Sequence, residues 1–269
     1  MSQKLLGLIA GNGQFPFLFA QKAKSQGYRV VAAAVRGDTS FLLRFFVDRC
    51  VWFKAGELQR LFAFFKDAGV QQVIMAGQVN PHNLFNPHVA FDEEFQSLFK
   101  AIQDRKADTI FSAVAERLKA RGMELVDSVF LLKEYLAPQG TLTRRGPSLS
   151  ELADIDFGRN IAKAMGGMDV GQTVVVKDKA IVAIEAMEGT DRTILRGGRI
   201  ARGGAVVIKM CKPDQDMRFD VPVIGPRTIL TMARSQAGCL GIEAEKTLLI
   251  DRQACIRLAN KAGICIVAA

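Results

Sequence analysis

Three observations on this 269-residue chain predict an α/β fold in two domains. Over the first ~130 residues, short apolar strand patterns alternate with amphipathic helical ones, the order of a parallel sheet covered by helices. Residues Pro138 to Ser150 then carry two prolines, two glycines and two arginines without any hydrophobic period, which marks a linker. Beyond it strands and helices resume, now with a hairpin among them. The expectation is an N-terminal Rossmann-like parallel-sheet domain over 1–137, a linker over 138–150, and a second, mixed α/β domain over 151–269.

The elements follow in order. Leu5–Ala10 is an apolar strand stopped by Gly11, and a helical pattern covers Phe17–Gln26. Tyr28–Val35 is a strand, and Glu57–Ala68 an amphipathic helix closed by Gly69, a common C-terminal cap. Val70–Ala76 is the next strand, ending at Gly77, and a longer helical stretch covers Phe91–Gln103. Asp108 opens a helix over Thr109–Arg121, and Met123–Val126 closes the first domain as a strand. In the second, a helix covers Ile155–Ala164, and Thr173–Val176 with Ala180–Ala186 flank Lys177-Asp178-Lys179 as a hairpin. Ala205–Met210 is a buried strand, Thr228–Ser235 a helix, Leu248–Ile250 a strand, Gln253–Lys261 a helix and Ile264–Ala268 the closing strand.

Composition narrows the function. Hydrophobic residues at 49% against 23% charged support a real core rather than disorder. The net charge of +9 points to an anionic partner: nucleic acid, a membrane surface or a phosphorylated small molecule. Lys and Arg are dispersed rather than gathered on one helix, and one Trp and two Tyr are few aromatics for base stacking, so nucleic acid is set aside. The five cysteines lack any CxxC spacing and four lie in apolar stretches, where a free thiol acts as a small hydrophobe. The first apolar run is too short for a signal peptide and no run reaches membrane-spanning length, so a cytoplasmic protein is expected.

Four segments carry candidate chemistry. Gly11-Asn12-Gly13-Gln14-Phe15-Pro16 lies between the first strand and first helix, where backbone amides and a helix N-terminus favour phosphate. Pro16 stands where a dinucleotide fingerprint has its third Gly, and no clean acidic residue ends the second strand, since Val35 leads into Arg36 and Asp38. A tight turn without ligand is the equal alternative. Gly77-Gln78-Val79-Asn80 ends another strand of the same sheet, and ligands of open α/β sheets gather at that edge. His82 and His88 follow without metal-ligand spacing and read as loop residues. Glu188-Gly189-Thr190-Asp191 offers a hydroxyl and a carboxylate at a strand end, for phosphate, sugar or a helix cap. The densest segment, Lys209 to Pro226, holds two lysines, one arginine, three aspartates and three prolines. Prolines fix the loop, cations neutralise phosphate oxygens, and carboxylates hold a metal or orient water, which suits attack on phosphorus.

Taken together these segments resemble the UDP-2,3-diacylglucosamine pyrophosphatases of the LpxI type in lipid A biosynthesis. The resemblance is carried by GLIAGNGQFP (Gly7–Pro16), AGQVNP (Ala76–Pro81) and DIDFGRNIAKAMGGMDVGQTVVV (Asp154–Val176). It continues through AIEAMEGTDRTI (Ala183–Ile194), KPDQDMRFDVPVIGPRTI (Lys212–Ile229) and LLIDRQACI (Leu248–Ile256), so it spans nearly the whole chain. It implies hydrolysis of the diphosphate to UMP and 2,3-diacylglucosamine 1-phosphate, with Mg²⁺, in a cleft between two α/β domains. The family's catalytic aspartate lies in an RxDLPTIG-like segment, which here reads Arg218 to Gly225 and puts the carboxylate on Asp220, with Val221 and Val223 replacing Leu and Thr. The first glycine loop departs from the small residues common in the family, with Asn12, Gln14 and Phe15.

On this reading Asp220 binds Mg²⁺ and orients the attacking water, with Asp216 as a second carboxylate. Lys212 and Arg218 stabilise developing charge. Gly11, Asn12, Gly13, Gln14, Gly77, Gln78, Asn80, Thr190, Asp191 and Gln215 contact substrate. The basic surface suits docking on the cytoplasmic face of an anionic inner membrane, and the linker permits domain exchange in a homodimer. Two rivals remain: a nicotinamide-dependent oxidoreductase on a variant Rossmann domain, and a non-catalytic binding protein for a nucleotide-sugar lipid.

Overall fold

The computed structural model describes residues 4–80, 83 and 86–269. The chain forms two compact units, one of residues up to Leu132 together with Asp216–Asp220, the other of Lys133–Gln215 together with Val221–Ala269.

The first unit is a five-stranded parallel sheet wrapped by helices. In chain order it runs β1 (Leu5–Ala10), α1 (Phe15–Ser25), β2 (Arg29–Val35), β3 (Arg49–Phe53), α2 (Leu58–Asp67), β4 (Gln72–Ala76), α3 (Glu93–Ala101), α4 (Ala107–Lys119) and β5 (Glu124–Leu125). The strand order β3-β2-β1-β4-β5 is Rossmann-like, reversing direction of growth between β1 and β4. Leu6 registers with Val30 on one side and Gln72 on the other. Buried on both faces, β2 reads as a continuous run from Val30 to Val35, as parallel strands do.

Local rules account for most boundaries. Helix α1 starts at Phe15, two residues before the expected Phe17, because Pro16 fits a first turn where its missing N–H is no loss. Helix α3 is shorter than expected at its start because the Asp92 carboxylate accepts from Phe95 N at 2.9 Å and caps it. Helix α4 starts at Ala107, so Asp108 sits in its first turn, favoured by the helix dipole, rather than opening it. On α2 the phenylalanines settle as core: Phe62, Phe64 and Phe65 pack with Leu58, Leu61, Phe53 and Leu118. Edge strand β3 was not expected. Only Phe53 of its five residues is fully buried, so its pattern is weak.

The second unit contains β6 (Gly140–Thr141), α5 (Leu149–Gly167), β7 (Thr173–Lys177), β8 (Ala180–Ile184), α6 (Thr190–Ala201), β9 (Val206–Lys209), β10 (Val223–Ile224), α7 (Pro226–Arg234), β11 (Cys239–Ile242), β12 (Leu248–Leu249), α8 (Arg252–Ala262) and β13 (Cys265–Ala268). Its sheet has the order β6-β13-β11-β9-β7-β8, with β9, β11 and β13 parallel and the remaining pairings antiparallel. Strands β10 and β12 form a separate parallel pair. The expected hairpin is β7–β8. Asp178 and Lys179 both have positive φ, the backbone a two-residue hairpin turn demands. The buried Asp154 carboxylate holds that turn, accepting from Lys179 N at 2.6 Å and Asp178 N at 3.1 Å.

Four features departed from expectation here. Helix α5 begins at Leu149, six residues before Ile155, because Ser148 and Glu151 form a reciprocal capping box. Within the segment read as a linker, Gly140 and Thr141 pair with β13, and Arg145 makes a two-pronged ion pair with Glu151 at 2.7 and 2.9 Å. Helix α6 was not placed, because Gly197 and Gly198 interrupt its pattern. Close packing requires both: a Cβ would lie 2.7 Å from Val175 at the first and 2.4 Å from Ser235 at the second. Strand β11, only four residues long and containing Gly241, was also passed over. The five cysteines are unpaired; burial pushes the Cys255 thiol up to about 12, consistent with packing rather than reactivity.

Asp216–Asp220 belongs to the first unit through Ser128. The fully buried Ser128 hydroxyl lies 2.6 Å from the carbonyls of both Met75 and Arg218, and its N–H donates to Met217 O at 3.0 Å. Phe219 stacks at 5.6 Å on Phe111 and joins the core. Replacing Ser128 by Ala removes the single O–H that these two carbonyls share, one of them buried and the other partly so. Urea unfolding of Ser128→Ala is expected to show a loss of about 1–3 kcal/mol. Hydrogen exchange is expected to quicken at Phe219 and Asp220 while the sheet amides keep their protection.

Candidate active site

The carboxyl edge of the first sheet is built from three loops. Gly11 N donates to Ala76 O at 2.9 Å, and Asn12 N to Gln78 O at 2.8 Å, the latter an isolated antiparallel bridge that joins the two loops beyond the parallel β1–β4 pair. A Cβ on Gly11 would sit 2.5 Å from Gln78 O. One on Gly77, whose φ is +84°, would sit 2.3 Å from Asn12 O. Both glycines are therefore required by loop-on-loop packing, independent of any ligand. Gly13 differs: its φ is also +84°, yet a Cβ there would meet nothing within 4 Å. With the exposed Asn12 and Gln14 it borders open space at the start of α1, which no side chain caps. Amides at such a start attract anions. Phe15 is buried and belongs to the helix's packing face.

The third loop follows β2. Thr39 donates its hydroxyl to Ala10 O and accepts from Val35 N at 2.9 Å, tying this loop to β1. Asp38 accepts from Asn80 N at 3.1 Å and from the Asn83 side chain at 3.3 Å, tying it to the loop after β4. Burial pushes the Asp38 carboxyl up, and the two hydrogen bonds only partly oppose that. Asp38 had not been placed among the site residues, because it lies three positions past the strand rather than at its end. His82 lies outside the described residues, and His88 is exposed.

At this edge also lies the segment held by Ser128, since Met75 is the penultimate residue of β4. Asp216 and Arg218 grip each other. The carboxylate accepts from Arg218 Nε at 3.0 Å and Nη2 at 2.7 Å, and from its backbone N–H at 3.0 Å. The guanidinium holds the Asp216 carboxyl below the usual carboxylate range and is itself raised. The backbone of Asp220 donates to Asp216 O at 2.9 Å, closing a turn that leaves the Asp220 side chain half-buried.

The remaining site candidates belong to the second unit. Lys212 is buried and its ammonium pairs with Asp169, while its backbone N–H donates to the Gln215 side chain at 2.7 Å. Thr190 is the first residue of α6, after Gly189 with φ +82°, so the cap position is the glycine and not the threonine. The Thr190 hydroxyl donates to Glu185 at 2.8 Å and accepts from the Lys209 ammonium at 2.8 Å. Glu185 and Lys209 are both buried, at the ends of β8 and β9. They form a polar cluster that residue spacing gave no way to pair, being 24 positions apart. Asp191 pairs with Arg227 at 2.6 Å, linking α6 to α7.

Comparison with known proteins also divides the chain in two. The LpxI N-terminal domain family matches residues 5–135 and the LpxI C-terminal domain family residues 138–267. A UDP-2,3-diacylglucosamine pyrophosphatase LpxI of Caulobacter vibrioides is 30% identical over 274 residues, covering 97% of this chain and 96% of that protein. Among solved structures, a biotin carboxylase domain of Hydrogenobacter thermophilus 2-oxoglutarate carboxylase aligns at 12% identity and TM-score 0.29, over 73% of this chain and 41% of that one. A Campylobacter jejuni biotin carboxylase aligns at 12% and 0.28, over 73% and 42%. This chain thus spans under half of either carboxylase, and likenesses at that level bear on neither fold nor function.

The Asp216–Arg218 pair makes a pH-dependent contribution. Because the folded carboxyl lies below its unfolded value, the pair stabilises above about pH 4 and loses that contribution as pH falls through the folded value. In Arg218→Ala the Asp216 carboxyl is expected to move upward in a ¹³C NMR titration. The stability difference from wild type, small because both groups are partly exposed, should vanish in acid.

Proposed function

This chain belongs to the LpxI family, and on that premise we propose that it hydrolyses the diphosphate of UDP-2,3-diacylglucosamine. Water adds to one phosphorus, the P–O–P bond breaks, and UMP and 2,3-diacylglucosamine 1-phosphate leave, a step in lipid A biosynthesis. The observation that carries this reading is the delivery of Asp216–Asp220 to the carboxyl edge of the Rossmann-like sheet by Ser128. That edge is where open α/β sheets take nucleotides.

In this reading the diphosphate lies against the uncapped start of α1, with Gly13 allowing close approach and Asn12, Gln14, Gln78 and Asn80 facing the nucleotide. Asp220 orients the attacking water and accepts its proton. Arg218, held in one orientation by Asp216, faces the negative charge that develops on phosphate oxygens, and such preorganised charge is usually the largest catalytic contribution. Lys212 carries its charge already matched by Asp169, so its part is to position Gln215 and the loop leading to Asp216. Thr190 acts through the Lys209–Glu185 cluster, which sets the start of α6.

Mg²⁺ fits this chemistry in a particular way. No cluster of three His, Cys, Asp or Glu side chains able to hold a metal occurs among the described residues. Mg²⁺ is commonly bound by one or two carboxylates with substrate phosphates and water completing its shell, and Asp220 suits that use. Held there, the ion would supply charge neutralisation at the diphosphate. Among the described residues no helix is long and apolar enough to cross a membrane.

Purified protein incubated with UDP-2,3-diacylglucosamine and Mg²⁺ in H₂¹⁸O is expected to release UMP and the lipid monophosphate, with ¹⁸O marking the attacked phosphorus. Asp220→Asn should lower turnover by about 10²–10⁴-fold while leaving substrate affinity within a few-fold. Tight binding without turnover in the wild type would replace the hydrolase reading with a binding protein.

A further inference from the structure

The crossover from β2 to β3 carries an unusual surface. Instead of an α-helix it is a single 3₁₀ turn, Phe41–Phe45, begun by Ser40, whose hydroxyl accepts from Leu42 N at 3.4 Å. Leu43 is fully buried and anchors the turn. Phe41, Leu42 and Phe45 point the other way and are 58%, 58% and 64% exposed. Among the described residues of the first unit, these three are the only large hydrophobics so exposed. Scattered single hydrophobics are ordinary on a surface, but three on one five-residue turn are not.

The charge on this turn has the same directionality. The Arg44 guanidinium lies over both exposed rings, 4.2 Å from the Phe41 centroid and 4.6 Å from that of Phe45. Among the described residues no carboxylate pairs with it. Arg36, at the start of the same crossover, is also exposed. A cation set among outward-facing rings suits a lipid–water boundary, where rings enter the acyl region and the guanidinium stays with phosphates. A neutral protein groove would leave that charge unmatched; an anionic headgroup layer matches it, as the chain's +9 net charge also favours.

We propose that the Phe41–Phe45 turn docks the protein on an anionic lipid surface. The choice of a lipid surface over other apolar partners rests on the proposed diacylated substrate, which resides in one. Phe41 packs on Trp52, with ring centroids 5.5 Å apart, and Trp52 is the chain's single tryptophan. The protein therefore holds its own optical reporter beside the turn.

The test titrates the full chain with vesicles of phosphatidylglycerol and phosphatidylethanolamine, and in parallel with phosphatidylcholine alone, reading co-sedimentation and Trp52 emission. Expected are binding to the anionic vesicles and a blue shift of Trp52. The triple change Phe41→Ser, Leu42→Ser, Phe45→Ser should weaken that partitioning by at least about ten-fold. Its thermal unfolding should stay close to wild type, and its turnover of detergent-dispersed substrate should be unchanged. Arg44→Gln should erase most of the preference for anionic over zwitterionic vesicles. Three results would overturn the proposal: no vesicle binding by the wild type, equal binding by the triple variant, or light scattering that shows a wild-type dimer which the triple variant converts to monomer. Because vesicle binding is read without substrate, loss of the hydrolase reading and loss of the docking element give different results.

Discussion

The arrangement at the candidate site depends on one hydroxyl. Ser128, with no exposed surface, stands between the carbonyl of Met75 on β4 and that of Arg218, and its own N–H reaches Met217. Through it a five-residue stretch from late in the chain becomes part of the first unit. A segment held only by loop contacts would fray, since exposed turns carry little local stability. This one is held by a buried hydrogen-bonding group and by Phe219, partly buried against the core. The Asp216–Arg218 pair is thereby fixed at a sheet edge already organised by three mutually bonded loops.

Those loops illustrate how one residue type can answer two demands. Gly11 and Gly77 look like ligand glycines, and they stand where such glycines would. Their absent side chains are nonetheless required by the backbone of the opposite loop, which approaches too closely for any Cβ. Gly13 has no such neighbour: its positive φ is set beside open space, as is that of Gly37 in the loop after β2. Gly11 and Gly77 are thus packing glycines that build the edge.

Charge is handled differently in the second unit. Lys212 and Lys209 are buried and each meets a carboxylate, Asp169 or Glu185, within its own unit. Buried cations without partners would lose their charge or destabilise the fold. Their charges are thereby matched within the fold, whereas Arg218 is partly exposed. Such a division keeps a partly exposed charge oriented without a large desolvation cost.

The alternation of elements, the hairpin and the amphipathic character of α2 were legible in the residues, because each is written in local periodicity or turn chemistry, though whether the phenylalanines of α2 line the core or a surface was left to the fold. Strand β3, helix α6 and the early start of α5 were not: the first is an edge with one buried residue, the second is broken by glycines that only packing explains, and the third depended on a capping box at Ser148 inside an apparent linker. Residue order likewise could not join Ser128 to Arg218, 90 positions away, or Glu185 to Lys209. Local patterns determine which elements form, because they act over a few bonds of chain. Which side chains share a site is decided by tertiary structure, because burial makes polar groups find partners regardless of their distance in sequence.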